Sequence, residues 1–137
     1  MLTNAAAFIT SFPPTPPLGT PTPWLVSYGF TGDQATNELI VTNGMPLWQW
    51  YLTGLNPTNP SNSFILPPIK VPAPGVAPMI TFNTALGRTY RVDAAVTLGA
   101  WVTLHDNIAG TGSPISIQDN RNLSGVPSMY YRVVLTY

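Results

Sequence analysis

Residues 87–104 read GRTYRVDAAVTLGAWVTL. Within them Tyr90 and Val92 fall on one side of an extended chain and Arg91 and Asp93 on the other, because successive strand side chains point to opposite faces. Working outward, comparable runs appear at 63–71 (SFILPPIKV), 77–85 (APMITFNTA), 100–108 (AWVTLHDNI), 113–119 (SPISIQD) and 128–137 (SMYYRVVLTY). They are short, rich in Val, Ile, Thr, Tyr and Phe, and separated by Pro, Gly and Asn. Alternation recurs at Ile115 and Ile117, and at Tyr131, Val133 and Leu135. Strands at this spacing with no helix between them predict a mainly β chain folded as a small antiparallel β-sandwich.

Upstream the signals change. PWLVSYGF at 23–30 suits a short helical turn, opened by Pro23 and closed by Gly29. A second helix is predicted between Pro46 as its first residue and Gly54 just beyond its last turn, with Leu47, Trp48, Tyr51 and Leu52 forming its core face. Residues 11–23, SFPPTPPLGTPTP, hold six prolines in thirteen positions, which favours an extended polyproline II spacer. The expected organisation is an apolar, Pro-rich arm over 1–22, a short helical segment over 23–62, and the sandwich over 63–137.

Composition narrows the function. Charged residues make up 7%, five basic against five acidic, so there is no basic field for nucleic acid, and a net charge of zero tolerates self-association. Cysteine is absent, and His105 and Lys70 are the single His and Lys, which excludes disulfides, thiolate metal sites and multi-His centres. Candidate acids and bases are Asp33, Glu38, Asp93, Asp106, Asp119 and His105, but no nucleophile elbow, phosphate loop or dinucleotide fingerprint accompanies them. The chain is read as a non-enzyme with no catalytic residue and no cofactor. No apolar run approaches the roughly 20 residues that cross a bilayer, and MLTNAAAFITSF lacks the positive flank of a secretory leader.

TPTPWLVSYGF (20–30), NGMPLWQWYLTGLNPTNPSNSF (43–64), GRTYRVDAAVTLGAWVTL and MYYRV (129–133) together resemble a module found at the C-terminal ends of large secreted and surface proteins of bacteria. That module joins a dockerin-like or thrombospondin-type-3-like calcium loop and helix to a fibronectin-III- or immunoglobulin-like sandwich. The resemblance implies an extracellular or cell-surface location. It also exposes a departure. With Gly44 at position 6 of a calcium loop, Leu39, Val41 and Asn43 stand at ligand positions 1, 3 and 5, and Trp50 at the acidic position 12. Three of these four side chains carry no oxygen, so no metal is expected. Leu39, Val41 and Trp50 instead form apolar surface whose burial is worth several kcal/mol at roughly 25 cal/mol per Å². That burial is either internal or against another subunit. Trp50 is expected on the exposed side of its helix.

The function expected is a self-assembling subunit of a surface filament or fibre, in which the arm contacts a neighbouring copy by adding a strand to its sheet edge. The interface candidates are Phe8, Ile9, Thr10, Phe12, Leu39, Val41 and Trp50. The rival is an accessory module that stacks polysaccharide on Trp24, Trp48, Trp50, Trp101, Tyr130 or Tyr137, though core packing is the commoner use of Trp48 and Trp101.

Overall fold

Period-two burial organises the strands of the computed structural model, which describes residues 20–31, 38–62, 64, 66, 69, 73 and 76–136 and, for residues 4–9, the backbone alone. The chain divides into two compact units, Met1–Thr10 with Ile65–Tyr137, and Ser11–Phe64. Asn4–Ile9 thus groups with the strands of the sandwich unit, from which it is separated in sequence. The strand expected at 63–71 falls largely outside the described residues.

In the first unit the chain forms β1 (Asn4–Ile9), β4 (Met79–Phe82), β5 (Thr89–Ala95), β6 (Val102–Ala109), β7 (Ile115–Gln118) and β8 (Ser128–Thr136). One sheet has the order β1-β8-β5-β6 and the other pairs β4 with β7. Tyr90, Val92 and Ala94 are buried, as are Met129, Tyr131, Val133 and Leu135 on the facing side of β8. Ile80 and Phe82 supply the opposing layer, with Phe82 tilted against Tyr90 at 5.5 Å between ring centroids. The mainly β, sandwich-like architecture read from the alternation is therefore present. Among the described residues every pairing within the unit is antiparallel except one: β1 runs parallel to β8, from Asn4 opposite Ser128 to Ile9 opposite Val133. A parallel neighbour cannot come from a tight turn, and here the whole second unit lies between the two strands.

On the outer face of the larger sheet, Asp93 lies opposite Arg132 and takes hydrogen bonds from Arg132 Nε (2.8 Å) and from Arg91 Nε and Nη2 (2.8 and 3.1 Å). Arg132 also sits 4.6 Å from the centroid of the Trp101 ring. Asp119, just past β7, is buried and ties the two sheets together. It accepts from Arg121 Nε (2.8 Å) and Nη2 (2.7 Å) and from the Tyr131 hydroxyl of β8 (2.8 Å).

The second unit contains α1 (Thr22–Ser27), β2 (Val41–Thr42), β3 (Met45–Pro46), α2 (Leu47–Thr53) and a 3-10 turn at Pro60–Asn62. Gly54 caps α2 in the left-handed region (φ 70°), which a residue without Cβ adopts without strain. Pro46 precedes α2 as its N-cap instead of opening it. The buried residues of α2 are Leu47, Trp48, Trp50 and Thr53, while Tyr51 and Leu52 are half-buried. The core face is thus turned toward Trp50 relative to the expected one.

Candidate functional site

The stretch that reads as a cation loop is a β-hairpin. Asn43 and Gly44 link β2 to β3 with positive φ at both positions (46° and 84°), the requirement of the tight turn that Asn-Gly favours. Asn43 further fixes the turn by donating its amide to the Pro57 carbonyl (2.8 Å). The loop carbonyls are then taken by N–H groups. The amide of Leu47 donates to Ile40 O (2.9 Å) and that of Trp48 to Glu38 O (3.0 Å), which satisfies the start of α2 without a side-chain cap. The indole of Trp50 donates to Thr42 O (2.9 Å) and Met45 O (3.2 Å), one on each side of the turn. In the calcium-loop alignment Met45 is position 7, whose backbone carbonyl would bind the ion, and Trp50 is the closing position 12. A neutral donor therefore holds the one backbone carbonyl, that of Met45, that a cation would take at this place. Among the described residues no group of three or more His, Cys, Asp or Glu is placed to hold a metal.

This corrects the expectation for Trp50, which is fully buried. The hairpin folds back over that side of α2 and offers two carbonyls, so burying the ring leaves no indole N–H unpaired. Leu39 and Val41 go the other way and remain 54% and 66% exposed. Replacing Trp50 by Phe, which keeps an aromatic ring but removes the donor, is expected to cost roughly 1–3 kcal/mol from the lost hydrogen bonds and volume. Adding millimolar calcium should leave the melting temperature unchanged in both proteins, as measured by calorimetry.

Phe8 and Ile9 lie in β1, with backbones paired to Arg132 and Val133; Thr10 and Phe12 lie outside the described residues. In the sandwich unit, exposed apolar side chains include Val96, Leu98 and Val102 around the β5–β6 connection, and Val76, Met79 and Leu86 elsewhere.

Of the rings considered for sugar stacking, Trp48 is buried, Trp101 and Tyr130 are half-buried, and Tyr137 lies outside the described residues. Trp24 of α1 meets Tyr28 and Tyr51 edge-on, at 4.9 and 5.3 Å between centroids. The sequence places Tyr28 near the end of the first helical turn and Tyr51 on the core face of the second helix; the contact of Trp24 with Tyr51 brings them into one half-exposed trio.

Among the ionisable residues, burial opposes the charge of Asp93, but hydrogen bonds from Arg91 and Arg132 outweigh it and hold the carboxyl below its ordinary value. Asp119 behaves likewise: burial raises it, Arg121 and Tyr131 more than compensate, and the net shift is downward. The hydroxyl of Tyr131 is pushed up, by burial first and by the charge it serves second. Glu38 is buried and accepts the Thr20 amide at 2.8 Å. His105 and Asp106 are exposed on β6, where Asp106 accepts the Asn107 amide, and Asp33 lies outside the described residues. In comparison with known proteins, no family model, no curated protein and no solved structure matches this chain.

Proposed function

We propose that the chain is a non-enzymatic structural subunit that assembles with copies of itself into an extracellular or surface filament. The observation that carries this reading is the surface exposure of Leu39 (54%) and Val41 (66%) on a chain with only 7% charged residues and no net charge. Trp50 and Met45 pack inward, while Leu39, just before the hairpin, and Val41, in its first strand, face solvent. Apolar side chains left on a nearly uncharged surface favour burial against another molecule, and nothing repels a like copy. Val96, Leu98 and Val102 add a second such area in the sandwich unit. The resemblance to modules of secreted bacterial proteins supports an extracellular setting.

The purified chain is expected to form fibres visible by negative-stain microscopy, with light scattering rising above a critical concentration. A Leu39→Asp/Val41→Asp double variant should keep the native circular dichroism, because both side chains are exposed. Its critical concentration should rise roughly tenfold or more, the factor equivalent to about 1.4 kcal/mol of lost contact. A chain that stays monomeric at every concentration would overturn the reading.

A second reading, polysaccharide binding, is favoured by the half-exposed Trp24, Tyr28 and Tyr51. It predicts a monomer whose tryptophan emission changes on adding polysaccharide, with the change abolished by Trp24→Ala.

A further inference from the structure

The strand β1 occupies an edge of β8 that no sequence-adjacent strand supplies. On its other side β8 is paired antiparallel with β5, from Ala95 opposite Tyr130 to Thr89 opposite Thr136. On this side its partner arrives from beyond the complete Ser11–Phe64 unit, through a segment with six prolines in thirteen residues. The backbone ladder between β1 and β8 is the same whether both strands belong to one chain or to two. Only the tether distinguishes the cases. β1 is also lightly anchored by its composition: NAAAFI contains three consecutive alanines, which favour strands poorly and carry little apolar area.

We infer that the β8 edge is a strand-exchange site whose partner is the β1 strand of a second copy of this chain, and that the internal β1–β8 pairing is the closed form that holds assembly in check. This rests on the self-assembly reading above and specifies its contact: residues 4–9 of one copy beside residues 128–133 of the next, in parallel. Such a contact is head-to-tail and need not close on itself, so it propagates as a fibre. Membership of one chain presents β1 to its own β8 at an effective concentration on the order of millimolar. Closed monomers therefore dominate in dilute solution, and growth waits on release of β1.

The chain has no cysteine, so introduced pairs report cleanly. Asn4 and Ser128 are register partners, and neighbouring strands about 4.8 Å apart lie within disulfide reach. Oxidising an Asn4→Cys/Ser128→Cys variant in dilute solution should give a covalently closed monomer that assembles at least tenfold more slowly than its reduced form. Oxidising it after assembly should give a ladder of covalent dimers, trimers and longer chains on a non-reducing gel. An Ala6→Cys/Tyr130→Cys pair, also in register, repeats the test if the first variant misfolds. Fibres whose cross-links all lie within single chains, or a closed monomer that assembles at the normal rate, would overturn strand exchange while leaving self-assembly standing. Failure of the reduced chain to assemble at any concentration would overturn both. Absence of any cross-link would overturn the pairing itself.

Discussion

Gly110→Ala is expected to destabilise the sandwich unit by roughly 3 kcal/mol, the upper part of the usual range for overpacking. A Cβ built on Gly110 would stand 1.9 Å from the Ala85 carbonyl oxygen, 2.9 Å from its carbon and 3.1 Å from the Arg88 carbonyl oxygen. All three are backbone atoms, so no side chain can swing aside. The contact exists because the chain leaving β6 closes against the turn that enters β5: the Gly110 amide donates to Arg88 O at 2.8 Å. Moving Ala85 would also disturb its amide, which donates to the Tyr90 hydroxyl in the core at 2.9 Å. Thermal unfolding should show a midpoint lowered by roughly 10 °C or more, since each kcal/mol shifts a domain of this size by about 4–8 °C. Gly87→Ala separates space from strain. Nothing lies within 4 Å of its added Cβ, but its φ of +76° is unfavourable for alanine, and a loss of about 1 kcal/mol is expected. Equal melting of Gly110→Ala and the parent chain would show that the close approach at Ala85 is not required by the fold.

Asp119→Ala is the second large effect, expected at about 3 kcal/mol, the lower end for removing one partner of a buried ion pair. The lower end applies because the Arg121 side chain is 42% exposed and can turn to water once its carboxylate is gone. The Tyr131 hydroxyl, fully buried, has no such escape. Tyr131→Phe should remove less, on the order of 1.5–3 kcal/mol for one hydrogen bond to a charged group. The same carboxylates set the acid limit. Asp93 and Asp119 both lie below the ordinary value of 3.8 in the folded chain, so the unfolded chain takes up protons first as pH falls. Their contribution is fully present above about pH 5 and declines as pH drops through the unfolded and then the folded values. Urea unfolding from pH 7 to pH 2 should show this decline, and Asp119→Ala should flatten it. An unchanged acid slope in the variant would show that Asp119 does not carry the effect.

The strands and their faces were legible because Cβ alternation is local. Tyr90 and Val92 against Arg91 and Asp93 needs no knowledge of the partner strand; the bounds of β4, β5, β7 and β8 lie inside the runs read from composition, and β6 runs one residue past its own, to Ala109. Gly29 and Gly54 likewise mark helix ends through their own backbone conformation. Asn43-Gly44 between Thr42 and Met45 is a hairpin dipeptide, a local signal that coincides with the Asn-Gly of a calcium loop. Of the proposed contact surface, Leu39 and Val41 stand exposed as an interface would require, and Trp50 does not.

Sequence alone determined where β4 to β8 run, which side of β5 and β8 faces the core, and that the loop lacks oxygen ligands, because each follows from the chemistry of neighbouring residues. Tertiary structure decided the direction of Trp50, since a short helix buries whichever face another element covers, and here the hairpin covers it and offers two carbonyls to the indole. It also decided that β1 lies parallel on β8 and that Asp119 meets Tyr131. Those pairings join segments far apart in the chain, and the free energy that selects them comes from a complete sheet edge and a shared core, which no local pattern encodes.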